Sequence, residues 1–308
     1  MNSKRKKHFS IIGAGFIGKA IVRNLLSKRQ AVCVLDRHEC PAEFSGKVNW
    51  IMGNFHDSNA LERALGGAAV AYHLVSSTVP GDQHVDVAIE LNENVVGSLR
   101  FVEACLKADV KRIVFASSSS VYGLQDHLPI NEMVLTNPIS PHGIHKLTVE
   151  KFLLLARHLH GIDVRILRIA NPYGPEQNVS GRQGFVAMAI GHLLRDTPLA
   201  LRDKGRAVRD FIFIDDLAEG LVLGGFLDGL PSIMNIATGN GASLREVLNS
   251  MEELLGCKIM TTPIESRQID IPISVLDIGL VRSAMSFVPI TSLREGLSKT
   301  LRHHGFRC

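Results

Sequence analysis

The chain has 308 residues, 45% hydrophobic and 21% charged, the balance of an ordinary globular protein, which excludes a disordered, collagenous or coiled-coil chain. Lys+Arg 34 against Asp+Glu 30 leave a formal charge of +4, an excess that the run Lys4-Arg5-Lys6-Lys7 supplies, so a nucleic-acid partner is not indicated. That basic start runs into Phe9-Ser10-Ile11-Ile12 and glycine rather than a signal-peptide core, and the most apolar region, Leu217 to Ala237, is broken by Glu219 and Asp228, so no membrane span is expected.

Along the first half, short β-branched runs alternate with helical patterns. Phe9–Ile12, Ala31–Leu35, Val48–Met52, Ala69–Val75 and Arg112–Ser117 read as strands buried on both faces. Ile17–Lys28, Ser58–Leu65 and Asn94–Lys107 read as helices, the last with Val95, Leu99, Val102 and Leu106 on one stripe. The alternation predicts an α/β fold with a Rossmann-type doubly wound parallel sheet and right-handed crossovers. After Arg168 the pattern changes at Asn171-Pro172-Tyr173-Gly174-Pro175, which is loop chemistry. We expect a nucleotide-binding domain over 1–170. Residues 171–308 should form mainly a smaller α/β substrate lobe, some of whose segments return to the first domain. Five scattered cysteines without a CxxC pattern suggest a reduced, cytoplasmic protein without a zinc site. The 13 histidines, His142/His145 and His303-His304 included, do not space as a ligand set, so no metal is expected.

Gly13-Ala14-Gly15-Phe16-Ile17-Gly18 lies between the first strand and the first helix. Gly13 and Gly15 allow a tight turn and close backbone approach to a pyrophosphate, Gly18 lets the helix pack on the sheet, and the helix N-terminus offers free N–H groups. Asp36 ends the second strand, 18 residues after Gly18. Its carboxylate suits a ribose diol and repels a 2′-phosphate, which favours NAD over NADP; the adjacent Arg37 weakens that preference.

With these features the chain resembles the extended short-chain dehydrogenases, specifically the sugar-nucleotide epimerases and dehydratases. The resemblance runs over nearly the whole length. Gly53-Asn54-Phe55-His56-Asp57 resembles the segment that touches adenine, with Asn54 in place of the usual Asp. Ala71-Tyr72-His73-Leu74 resembles the strand end beneath the cofactor, and Asn94 belongs to a stretch similar to the family's Asn-Val-x-Gly-Thr helix start. Ala116-Ser117-Ser118-Ser119-Ser120-Val121-Tyr122-Gly123 is a specific match to the serine-rich catalytic strand end.

The resemblance implies a Tyr-x-x-x-Lys helix turn across the nicotinamide, with the lysine on the ribose and the tyrosine taking a proton from the sugar hydroxyl. Here Pro141-His142-Gly143-Ile144-His145-Lys146 places His142 at the tyrosine position, with Ser118 and Lys146 matching the other catalytic places. Of the three tyrosines, only Tyr173 is placed to approach the site. Two readings stand. A neutral His142 takes the proton, or redox chemistry is lost and a cofactor- and ligand-binding pseudoenzyme remains.

In the second lobe, Asn171 falls where the resemblance implies a diphosphate contact. Gly205-Arg206-Ala207-Val208-Arg209-Asp210-Phe211-Ile212 and Arg267-Gln268-Ile269-Asp270 match two further motifs. They imply Arg209 and Arg267 as phosphate clamps and Asp270 as a ribose partner. Seven residues after Arg267, Ser274 falls at a gatekeeper position where a small side chain admits a 2-acetamido group. The implied activity is NAD-dependent C4 epimerisation of a UDP-sugar through a transient 4-keto sugar, with a UDP-N-acetylhexosamine favoured. A 4,6-dehydratase is disfavoured because Ser119 and Ser120 stand where an Asp-Glu pair is needed, and a keto-sugar reductase because Asp36 disfavours NADPH. A homodimer through helices starting near Asn94 and Gly143 is implied by the resemblance alone.

Overall fold

The structure is a computed structural model that describes residues 8–76, 86–181 and 183–308; the Lys4–Lys7 run lies outside the described residues. Its first half is built from β1 (His8–Ile12), α1 (Phe16–Ser27), β2 (Val32–Asp36), β3 (Asn49–Met52), α2 (Ser58–Leu65), β4 (Ala68–His73), α3 (Val87–Leu91), α4 (Gly97–Lys107) and β5 (Arg112–Ser118). Then come α5 (Pro141–His160), β6 (Asp163–Ile169), β7 (Asn171–Tyr173), α6 (Phe185–Leu194), β8 (Leu199–Arg202), β9 (Val208–Phe213) and α7 (Ile214–Phe226). The chain closes with β10 (Ile233–Ile236), β11 (Gly241–Ser243), α8 (Leu244–Leu255), β12 (Thr261–Ile264), β13 (Ile273–Ser274), α9 (Gly279–Met285) and α10 (Leu293–His303).

The main sheet has 7 strands in the order β10-β6-β5-β4-β1-β2-β3, all parallel. The strand order reverses between β1 and β4, the switch point at which an open α/β sheet leaves a crevice beyond its strand ends. The runs Ile11-Ile12, Val32–Leu35 and Ile113–Ala116 are buried throughout, as helices on both faces require. β9 anchors a second sheet, antiparallel to β11 and parallel to β7 and β13, while β8 and β12 form a two-stranded parallel pair. Residues 233–236 return to the main sheet beside β6.

One helix differs from its expected start. The sequence pattern begins it at Asn94, but the chain is already helical from Val87, because the Asp86 carboxylate caps the N–H groups of Ala88 and Ile89. Asn94 therefore sits inside a π-helical turn, Asn92–Val96, that joins α3 to α4. Such one-turn slips recur at functional sites.

α5 is fixed on the sheet by its own residues. Ser140 accepts the Gly143 N–H at 3.2 Å, and Pro141 opens the helix, both standard N-terminal devices. Glu150 is buried on the sheet side, held by Arg168 of β6 at 2.7 and 3.1 Å and by the Ser117 hydroxyl of β5. A buried carboxylate needs such paired donors. The network ties α5, which carries His142 and Lys146, to β6 and to β5, whose end carries Ser118.

Candidate active site

The glycine loop fits a dinucleotide. Gly13 has φ +94°, and a Cβ on Gly18 would collide with the Gly13 carbonyl. Gly15 caps α1 without a side-chain hydrogen bond, and a Cβ there would meet nothing within 4 Å. Phe16 and Ile17 open the helix half-buried, with no acidic residue in the first turn. The result is an open helix N-terminus with unmet N–H groups, ready for an anion.

Asp36 closes this loop. Its Oδ2 accepts the Ala14 N–H at 2.6 Å and its Oδ1 accepts the His38 N–H at 2.9 Å, with the His38 ring at the same distance. The carboxylate is thereby fixed beside the loop, while Arg37 is exposed. Asn54 accepts the His56 N–H, an Asx turn that shapes the segment after β3. The Phe55 ring belongs to the core, against His73 and Phe101, so a ligand contact at Phe55 falls to its backbone. Leu74 is half-buried at the end of β4, its N–H bonded to the Ile12 carbonyl.

Four side chains meet beyond β4 and β5. His142, His145, Lys146 and Asn94 line one narrow cavity together with Val75 and Phe115. α5 comes this close because Gly143 has no side chain: a Cβ there would lie 2.6 Å from the Ser120 carbonyl oxygen. Lys146 Nζ donates to the Ala116 carbonyl at 2.8 Å and lies 4.7 Å from the Phe115 ring centre. Burial lowers its ammonium from 10.5 to about 8, although the Glu150 charge acts the other way. Burial, then Lys146 and His145, pulls His142 from 6.5 down to about 3. His142 is thus a neutral imidazole, and it makes no hydrogen bond among the described residues. Ser118, at the end of β5, accepts from the Ser120 N–H at 3.2 Å and from the Ser120 hydroxyl at 2.9 Å.

A second layer of polar contacts, absent from the sequence reading, supports Asn94. His73 is buried, and its Nε2 lies 2.7 Å from the Ser98 hydroxyl, which in turn donates to the Asn94 carbonyl. The shared hydroxyl therefore accepts from His73, which carries its proton on Nε2. Burial, then Lys146, brings His73 down to about 3. His145 also lines the cavity, a place that the resemblance gave no role. Its signal lay in the sequence, three residues after His142 on one helix face and adjacent to Lys146.

The expectation that Tyr173 approaches the site is overturned. Its ring is buried against Phe211 and Phe213, and its hydroxyl donates to the Leu293 carbonyl at 3.3 Å. The parallel pairing of β7 with β9 turns it into that core. Tyr122 is buried and donates to Asn235 at 2.6 Å, and Tyr72 is buried with its hydroxyl on the Val222 carbonyl. No phenol replaces the one missing at His142.

The second-lobe candidates gather on the β9 sheet. Asn171 of β7 donates to the Asp210 carbonyl at 3.1 Å, next to Arg209. Among the described residues the Arg209 guanidinium hydrogen-bonds only the Val208 and Pro272 carbonyls, at 2.8 and 3.4 Å, and burial lowers its pKa although the Asp270 charge acts the other way. Among the described residues it forms no ion pair, which leaves its charge for an anion. Ser274, 7% exposed, stands opposite Arg209 in the β13–β9 register. Arg267 and Asp270 grip each other, with Nη2 to Oδ1 at 2.7 Å and the Arg267 N–H to Oδ2 at 2.8 Å. Burial alone would raise the Asp270 carboxyl, but the Arg267 hydrogen bonds outweigh it and leave it lowered. Asp270 thus orients Arg267, and its ribose role would use the lone pairs that remain.

The chain is similar to known proteins over nearly its whole length. The profile of the NAD dependent epimerase/dehydratase family matches residues 10–237. UDP-glucose 4-epimerase of Mycolicibacterium smegmatis is 30% identical over 94% of this chain and 95% of its own length. Among solved structures, a UDP-glucose 4-epimerase of Thermus thermophilus in complex with NAD superposes with TM-score 0.88 at 30% identity, covering 97% of this chain and 99% of that one. MoeE5, solved in complex with UDP-glucose and NAD, gives TM-score 0.88 at 31% identity over 96% of this chain and 98% of its own. Together with a glycine loop, a carboxylate and a lysine that fit NAD, these findings show that the chain belongs to the NAD dependent epimerase/dehydratase family.

Proposed function

We propose that this protein is a C4 epimerase of a UDP-sugar, with a UDP-N-acetylhexosamine or a uronic acid derivative of one as its favoured substrate, and that it works as a homodimer. The observation that carries the substrate is Ser274, a small, buried side chain in register with Arg209. Arg209 and Arg267 would hold the diphosphate and Asn171 would line the same sheet, so a sugar leading away from the clamp passes Ser274. Serine leaves room for a 2-acetamido group that a tyrosine would exclude. Small residues permit more surely than they reject, so plain UDP-glucose is accepted too.

NAD, when bound, supplies a hydride acceptor and donor. The rest falls to the chain. Gly13–Gly18 and Asp36 hold the dinucleotide, and Lys146 places a positive charge beside the ribose, with two N–H groups that have no acceptor among the described residues. Ser118 and His142 face the sugar hydroxyl. The hydroxyl proton passes to a nitrogen of the neutral His142 as the 4-keto sugar forms; the keto sugar turns over in the site, and the proton returns to the oxygen as C4 is reduced on its other face. No net redox change results, and the two epimers interconvert. The lowered basicity of His142 also favours a second reading, a slow or silent enzyme that keeps its binding sites.

Nuclear magnetic resonance of UDP-GlcNAc and UDP-glucose incubated with the NAD-loaded protein distinguishes these readings. The expected result is slow appearance of both C4 epimers, with Ser274→Tyr losing only the acetylated one. Intact binding of both sugars with no epimer formed selects the binding protein. Undiminished affinity of Ser274→Tyr for UDP-GlcNAc removes the gatekeeper.

A further inference from the structure

We propose that Ser120 is a positioning residue that fixes Ser118 as a hydrogen-bond donor to the sugar oxygen. This rests on the UDP-sugar reading above and concerns an atom-level role within it.

A serine hydroxyl has one hydrogen to give and two lone pairs to receive with. At Ser118 both lone pairs are filled by the same neighbour. The Ser120 N–H reaches Oγ at 3.2 Å and the Ser120 hydroxyl reaches it at 2.9 Å. What remains is the Ser118 hydrogen, which has no acceptor among the described residues. A sugar oxygen entering the site would therefore meet a donor at Ser118. It would also meet an acceptor at His142, whose ring is neutral and makes no other hydrogen bond among the described residues.

The turn that carries Ser120 is held from three sides. The Tyr122 N–H bonds the Ser119 carbonyl at 3.1 Å, and the Tyr122 phenol is fixed on Asn235 at 2.6 Å. Gly143 of α5 packs directly on the Ser120 carbonyl. Ser117, the preceding serine, points to the opposite face and serves Glu150 instead. Within the run Ser117–Ser120 the hydroxyls thus divide their work. Ser117 anchors the helix, Ser118 meets ligand, and Ser120 orients Ser118.

The division matters because the sugar oxygen changes character during the reaction. As a hydroxyl it gives its proton to His142 and accepts from Ser118. As a ketone it can only accept. A Ser118 locked as donor holds both forms and the partial negative charge between them, the pattern expected of a preorganised dipole. A free-rotating Ser118 would hold the ketone less well.

The test is calorimetric binding to the NAD-loaded protein of two probes, UDP and UDP-4-keto-6-deoxyglucose. Ser120→Ala is expected to weaken the keto sugar by about 3- to 10-fold, the size of one neutral hydrogen bond, and to leave UDP unchanged. Ser120→Thr, which keeps the hydroxyl, should bind as wild type does. Adding Ser120→Ala to Ser118→Ala should cost nothing further, since the two act through one donor. An unchanged keto-sugar affinity in Ser120→Ala, or an equal loss for both probes, overturns the inference while the UDP-sugar reading stands. Absence of binding of either probe to the wild type overturns both together.

Discussion

In the proposed reaction, His142 sets how fast the site turns over. General base catalysis is best when the base titrates near the working pH, and here burial and the neighbouring Lys146 and His145 hold the imidazole down to about 3. The sign of the effect is unambiguous. A lowered pKa keeps the base form present at all pH values above it, so the rate should show no acid limb near the ordinary histidine value. It should instead rise where Lys146, lowered to about 8, loses the charge that suppresses its neighbour. We expect a pH–rate profile that is flat below neutrality and climbs through about 8, with His142→Phe costing about 100-fold or more and His142→Tyr raising the rate. A rate loss centred near the ordinary histidine value, or full activity in His142→Phe, would sink the assignment.

At the level of elements, the sequence made the strand and helix order readable because each piece carries its own signal. β1, β2 and β5 are short apolar runs and α1 follows a glycine loop, whereas α5, placed near Gly143 by the resemblance alone, opens at Pro141. The π-turn at Asn92–Val96 was not readable: a one-residue slip in a hydrogen-bond ladder has no residue signature, and the Asp86 cap moves the helix start upstream. The supporting pairs were equally hidden. Glu150 with Arg168 and His73 with Ser98 join residues far apart in sequence, and only the parallel sheet brings them together. Tyr173 misled for the same reason, since its loop motif says nothing of which way β7 faces. The β2 end was legible and yields a prediction. Asp36 is fixed by the Ala14 N–H, so its charge cannot easily swing away from a 2′-phosphate. NAD should bind more tightly than NADP, and Asp36→Ala should weaken NAD by about 10-fold, as loss of a charged hydrogen bond does, while leaving the unfolding midpoint within a few degrees. Calorimetry showing equal or tighter NADP binding to the wild type would refute this.

In the whole molecule, α5 links the catalytic site to a surface that the single chain leaves uncovered. Ile144, Phe152, Leu155 and Leu159 are exposed on this helix. At 100° per residue they fall on one face, opposite the face that carries His142 and Lys146. Val87, Ile89 and Leu91 of α3, which the π-turn joins to the α4 that packs on α5, are exposed as well. An apolar stripe of this kind on a helix pinned by a buried ion pair suits self-association about a twofold axis, where the same patch serves both subunits. Each large apolar side chain covered is worth about 1.5–3 kcal/mol. Replacing two of them, Phe152→Glu with Leu155→Glu, should therefore raise the dimer dissociation constant by about 100-fold or more and add repulsion between the new carboxylates. Because the Glu150–Arg168 anchor lies on the other side of the helix, the subunit itself should remain folded, with an unaltered far-ultraviolet circular dichroism spectrum. Sedimentation velocity at micromolar concentration reads the outcome: the wild type should run as a dimer and the double variant as a monomer. A monomeric wild type, or a double variant that stays dimeric, would place the interface elsewhere and leave this stripe without the role assigned to it.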